Sequence, residues 1–162
     1  EGVVPKLDWN RIGEELIEFD PDPVVPYEPD RTPHQGVPMT YRDGETVKVD
    51  VEIAPLIKAM WGAGIPTMFC CQGYDVPLGQ DPNAWAWNNF KGYISMPRTS
   101  KSVGFVQAIV SNFLTKTDRG YSWDIEYAEN PYHGPILVIR FPKNDIEELL
   151  KFTRFVAESG LL

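Results

Sequence analysis

The sequence predicts an α+β fold of two layers, an antiparallel sheet with helices packed on one face, preceded by a short helix and a proline-rich extended arm. Three observations carry this. Helix starts fall near residues 53, 101 and 145, and a pair of strand-like runs lies between each helix and the next. Several of those runs alternate apolar and polar residues, as strands with one wet face do. The 162 residues, 43% hydrophobic and 23% charged, suit one domain with a real core and exclude disordered, collagen-like or coiled-coil chains. The division expected is residues 1–36 as an acidic helix and arm, and residues 37–162 as a single α+β domain.

Asp8 can cap a short helix in which Trp9, Ile12, Leu16 and Phe19 recur at helical spacing. Six prolines between residues 20 and 38 then forbid helix and central strand, so that stretch should run extended. Val37, Met39 and Tyr41 alternate with polar or turn residues, as do Val47, Val49 and Val51, with Asp43-Gly44 between them. A two-residue turn there would mix the faces. A three-residue loop, Arg42-Asp43-Gly44, pairs Met39 with Val47 and Val37 with Val49, and puts Gly44 at the left-handed position. Ile53, Leu56, Ile57, Met60 and Trp61 form a helical stripe, with Pro55 early and Gly64 as a stop. Strands are expected over 66–71 and 92–96. Thr99 or Ser100 caps a second helix carrying Val103, Val106, Ile109, Val110, Phe113 and Leu114. Tyr121, Trp123, Ile125 and Tyr127 alternate with Ser122, Asp124 and Glu126 in a further strand. Asn130-Pro131 and Gly134-Pro135 turn the chain into strand 136–141. Asn144 with Glu147 resembles a capping box for a last helix containing Ile146, Leu149, Leu150 and Val156.

The net charge of −8 is uneven. Residues 1–30 contain nine acids and two bases, a net of −7, so an acidic arm joins a nearly neutral body. It reads either as a lure for a protein with a basic surface or as a solvated helix face and linker. No basic stripe suits direct binding of duplex nucleic acid. No apolar run reaches the ~18 residues of a membrane span, and the start lacks a secretory signal. The chain does not open on Met, and an N-terminal portion is expected to be missing. Cys70 and Cys71 are the only cysteines. As neighbours they are poorly placed for a bridge, which points to a reducing, cytoplasmic setting, in the host cytoplasm if the chain is phage-encoded. With His34 and His133 far apart in sequence, no zinc spacing is visible, so neither a metal nor a cofactor is expected.

The most specific stretch is Gly64-Ile65-Pro66-Thr67-Met68-Phe69-Cys70-Cys71-Gln72-Gly73, where a cysteine falls at the junction of a strand and a glycine-containing loop. A thiol there meets free backbone N–H groups, and Cys71 should react faster than Cys70, which points into the core. A nucleophilic thiol needs a base, for which the candidates are His34 and His133. The alternative is that the cysteines are small core residues.

The run Ile53-Ala54-Pro55-Leu56-Ile57, Gly64-Ile65-Pro66-Thr67, Cys71-Gln72-Gly73 and Tyr93-Ile94 resembles small uncharacterised proteins of actinobacteriophages and their hosts. Those show a helix, Gly-Ile-x-Thr, Ser-Cys-Gln/Glu-Gly and an aromatic-Ile strand. The likeness spans roughly residues 47–97 and implies a phage-type accessory protein. The loop is also similar, more loosely, to the Ser-Cys-Ser-Gly-Arg loop of the tRNA wybutosine-synthesis methyltransferase family. Cys71 and Gly73 match that motif, whereas Cys70, Gln72 and Tyr74 depart from it. The glycine-rich fingerprints of dinucleotide and phosphate loops are missing from the chain.

The connection 74–91 is longer than compact domains usually tolerate without a use for it. If it is extended, Trp85 and Trp87 face the same way, either to stack a ligand or partner or to fold back as a lid on the core. His133 reads as a turn residue or a base. Asp124 and Glu126 with Arg140 read as a ligand site or an exposed cross-strand ion pair. The function expected is a non-catalytic, phage-type accessory protein that binds a host or viral macromolecule through its acidic arm and aromatic loop. The alternative is a small enzyme or nucleotide-binding domain centred on Cys71-Gln72-Gly73. The candidate binding residues over the two readings are Gln72, Gly73, Tyr74, Trp85 and Trp87, the catalytic candidates are Cys71 and His133, and a small nucleotide-like ligand is a further expectation.

Overall fold

The structure is a computed structural model that describes residues 28–114 and 122–162, the Trp85 side chain excepted. The helix expected from Asp8 to Phe19, and Tyr121, lie outside the described residues. The chain is α+β, with two antiparallel sheets and helices. Strands β1 (Gly36–Thr40) and β2 (Thr46–Asp50) form a hairpin sheet of their own. Its register pairs Met39 with Val47 and Val37 with Val49, as the three-residue loop requires. Gly44 sits at φ 85°, a conformation that favours glycine at this loop position.

Helix α1 (Ala54–Gly62) carries proline in its first turn and gives way to Gly64 at φ 79°. The next strand, β3, is shorter than expected, covering only Phe69–Cys71. Pro66 has no N–H to give a ladder, and pairing with the sheet begins where the Met68 N–H reaches the Ser95 carbonyl at 2.8 Å. β4 (Gly92–Pro97), α2 (Ser100–Ala108, continued by a π-helical turn Ile109–Leu114), β5 (Asp124–Asn130), β6 (Gly134–Phe141) and α3 (Ile146–Glu158) follow. The second sheet has the order β3-β4-β6-β5. Thr99 and Ser102 form a reciprocal capping box at α2. The box expected at Asn144 and Glu147 does not form. A 3-10 turn, Lys143–Asp145, leads into α3, Asp145 holds the cap position without capping, and its carboxylate accepts the Trp123 indole N–H at 2.8 Å.

One core joins these parts. Ile94 pairs with Ile139 and Met96 with Leu137 across the sheet, and all four are fully buried. Leu56, Ile57 and Met60 of α1, Phe105 of α2, Ile109 of the π turn and Leu149 of α3 close over them. The hairpin docks through Val49, and Tyr41 meets the Trp61 ring edge-on at 4.8 Å. Among the described residues no helix is long and apolar enough to cross a membrane.

Candidate functional site

Register decides the fate of the two cysteines. Cys70 pairs with Ile94 and packs against the core, whereas Cys71 pairs with Tyr93 on the opposite face. Cys71 ends β3, and Asp50 ends β2, from which the chain turns directly into α1. His34 precedes β1, and the neighbouring Gln35 carbonyl accepts the Val51 N–H at 2.8 Å, which ties this segment to the end of β2. His34 thus lies within the stretch read as the arm, yet it is bonded to the body.

These three residues, remote in sequence, meet at one point. His34 Nδ1 lies 2.9 Å from Asp50 Oδ2 and 3.9 Å from Cys71 Sγ, and the three donor atoms are all within 4.8 Å of one another. Behind them Gln72, only 5% exposed, donates its backbone N–H to Asp50 Oδ2 at 3.1 Å. Its side-chain amide clasps Glu52, accepting that residue's backbone N–H at 2.9 Å and donating to its carboxylate at 2.8 Å. Glu52 continues to Lys143 at 2.6 Å, and Lys143 to Asp75 at 3.1 Å. Burial works to lower the Lys143 pKa, but its bonds to Glu52 and Asp75 outweigh burial and hold it above the ordinary lysine value.

Gly73 makes this loop possible. Its φ is 80°, and a Cβ there would stand 2.5 Å from the Gly92 nitrogen. The Gly73 N–H therefore approaches Cys71 Sγ, at 3.5 Å. Burial raises the Cys71 pKa, the Gly73 N–H opposes it, and the nearby Asp50 charge adds to the rise. Burial, with Asp50 and Cys71 adding to it, pushes Cys70 further, to about 11. Tyr74 hydrogen-bonds through its N–H to the Phe90 carbonyl at 2.9 Å, and its ring lies 4.8 Å from the His34 ring.

This is not the arrangement of a thiol–imidazole–carboxylate relay. In such a triad the nucleophile and the carboxylate engage opposite ring nitrogens. Here both face the same Nδ1, and a single proton there serves only one of them. The geometry instead gathers nitrogen, oxygen and sulfur donors around one point.

The other sequence candidates sit elsewhere. His133 rests against Phe69, ring centroids 5.9 Å apart. The connection 74–91 is not extended throughout, because Trp85–Phe90 forms a 3-10 turn. Trp87 is buried at 5% exposure and packs edge-on against Phe90, so it takes the lid alternative rather than an open stacking position. The Trp85 side chain lies outside the described residues. Arg140 bridges Asp124 at 3.1 Å and Glu126 at 2.8 Å, an exposed cross-strand network. A cleft of about 220 Å³ lined by Tyr74, Asp75, Trp87, Phe90, Lys91 and Lys143 shares Tyr74, Asp75 and Lys143 with the Cys71 neighbourhood. A wider apolar groove of about 740 Å³, between the hairpin, α1 and α3, is lined by none of the three donor residues.

Sequence reasoning missed Asp50 and Glu52 altogether and had His34 only as one of two loop histidines. The available signal was that the Val47–Val51 alternation ends beside two acids, Asp50 and Glu52. No protein-family model, curated protein or solved structure matches the chain.

Proposed function

We propose that the protein is a small-ligand-binding domain whose working centre is the Cys71-Gln72-Gly73 loop completed by His34 and Asp50. The observation that carries this is the convergence of three donor side chains from separate segments on one point, backed by a buried Gln72 that bonds to both Asp50 and Glu52. Buried polar groups are hydrogen-bonded as a rule, and a donor set held in place by a satisfied supporting network is what a binding site requires. Asp50, Glu52 and Asp75 outnumber Lys143 and Arg31 in this neighbourhood, so a cationic or hydrogen-bond-donating ligand is favoured over a phosphate. A nucleotide-like ligand would accordingly enter by its base. Thiol catalysis is the weaker form of the reading, because Nδ1 is shared and the thiol is held protonated.

The test is a thermal-shift panel of organic amines and nucleosides in chelator-treated buffer, run on the full chain and on Cys71→Ser. A compound that raises the melting temperature of the first and not of the second supports the reading. Compounds that shift both alike sink it, as does the failure of every compound and of a divalent metal ion alike to shift the full chain.

A second reading, the phage-type accessory protein that captures a basic partner, is favoured by the net −7 of residues 1–30. It now leans on the charge more than on the aromatic loop, since Trp87 is buried. Its test is association with a strongly basic protein that weakens with salt and disappears when residues 1–27 are deleted.

A further inference from the structure

We infer that His34, Asp50 and Cys71 bind a single divalent transition-metal ion of the zinc class through Nδ1, a carboxylate oxygen and the sulfur. The inference names the ligand of the centre proposed above and rests on that reading. A tetrahedral zinc ion, with bonds of about 2.0–2.3 Å, sets its nitrogen, oxygen and sulfur ligands about 3.3–3.6 Å apart. The observed separations of 2.9 and 3.9 Å lie on either side of that value. The carboxylate oxygen and the sulfur are within 4.8 Å of each other, so side-chain adjustments of up to about 1 Å, within torsional freedom, bring all three onto one ion.

The donor set selects the class of ion. One imidazole, one carboxylate and one thiolate suit zinc or cobalt, whereas magnesium and calcium demand oxygen cages. Charge agrees as well, because a thiolate and a carboxylate together neutralise a divalent cation. The shared Nδ1, awkward for a proton relay, is what a common metal vertex requires.

The surroundings already provide the supporting bonds of a metal centre. The Gly73 N–H is directed at the sulfur, and the Gln72 N–H holds the carboxylate oxygen. Gln72 is itself locked by Glu52. The His34 and Asp50 side chains are 15% and 24% exposed, which leaves an entry path and room for water at a fourth position. On binding, the Cys71 S–H bond breaks and its proton goes to solvent, while a sulfur lone pair forms the bond to the ion. The proton on Nδ1 is lost and one is gained at Nε2. The net release is one proton per ion, with no change of oxidation state.

The experiment uses the full chain, stripped by chelator and dialysed, with Co²⁺ as the spectroscopic probe and Zn²⁺ as competitor. Co²⁺ should bind once per chain with a thiolate-to-cobalt charge-transfer band, and Zn²⁺ should displace it. Cys71→Ser should abolish the band. His34→Gln should weaken Zn²⁺ by more than the about 10–100-fold that losing a supporting hydrogen bond costs a metal site. Cys70→Ser should change neither. A readout free of any variant is alkylation of the native protein, in which Zn²⁺ should protect Cys71 and leave Cys70 labelling as it was. Absence of saturable binding, retention of the band in Cys71→Ser, or equal labelling of Cys71 with and without Zn²⁺ overturns the inference. If the ion fails while an organic ligand still depends on Cys71, the metal is wrong and the ligand-binding centre stands. If neither depends on Cys71, both fall.

Discussion

Cys71, Tyr93, Arg140 and Asp124 lie in one row across the four-stranded sheet, and the two ends of that row carry polar clusters of opposite character. At the β5 edge, Asp124, Glu126 and Arg140 have side chains 58%, 48% and 38% exposed, and they hold one another across solvent. At the β3 edge, His34, Asp50 and Cys71 are half-buried, chemically mixed, and braced from behind by Gln72 and Glu52. Hydrated charges on a sheet surface gain little from meeting and lose little on parting. Groups withdrawn from water hold a geometry only if every neighbour is satisfied, so the bracing at the β3 edge fixes the donor atoms in place. A fixed donor arrangement, which the proposed centre requires, is found at that edge.

The comparison breaks first at the loop that backs the β3 edge. Trp87→Ala should cost about 3–5 kcal/mol, because a buried indole against Phe90 leaves a cavity that the 3-10 turn cannot close. Urea denaturation reads this directly. A loss below about 1 kcal/mol would show that Trp87 is not holding the loop and would reopen it as a binding surface.

Gly73→Ala comes next. The left-handed φ and the 2.5 Å approach to the Gly92 backbone together should cost about 2–4 kcal/mol. The variant should also lose the preferential labelling of Cys71 over Cys70, since the loop must move away from the sulfur. A variant as stable as the parent, with the same labelling order, would mean that the close approach is not what shapes the site.

How much of this was legible follows from the range of the interactions. The hairpin register was readable because Gly44 and the valine alternation lie within a few residues of one another. The opposite fates of Cys70 and Cys71 followed from strand alternation, and the Asp124–Arg140 pair from two strands joined by a visible turn. The centre was only half legible. Cys71 and Gly73 stood out by their loop chemistry, but His34 and Asp50 reach Cys71 through the docking of the hairpin on α1. That docking is a packing event between apolar faces, and no local pattern encodes its outcome. Trp87 illustrates the same limit in reverse, since alternation in an unstructured stretch says nothing about a 3-10 turn that folds one ring inward.

A finer test separates bracing from burial. Gln72→Leu keeps the volume and the backbone N–H to Asp50 but strips both bonds to Glu52, leaving the Glu52 N–H without its partner. The expected cost is about 1–3 kcal/mol. Gln72→Glu, which retains an acceptor for that N–H but places a second carboxylate against Glu52, should fall between Gln72→Leu and the parent only at low pH. Equal stability of Gln72→Leu and the parent would show that the bracing is incidental.

The smallest effect belongs to the other end of the row. Arg140→Met retains the aliphatic stem that covers the sheet and removes both ion pairs, to Asp124 and to Glu126. Each pair is exposed, costs side-chain entropy to hold and is screened by salt, so their joint loss should cost no more than about 0.5–1 kcal/mol. The difference between Arg140→Met and the parent should shrink further in molar salt, where the screening length falls to about 3 Å. The substitution also leaves two acids, Asp124 and Glu126, on one face of β5 without their cation, and their mutual repulsion is screened by the same salt. A loss above about 2 kcal/mol that persists at high salt would mean that the β5 cluster is braced like the β3 edge. The contrast between the two ends would then vanish, and with it the reason to place the working centre at only one of them.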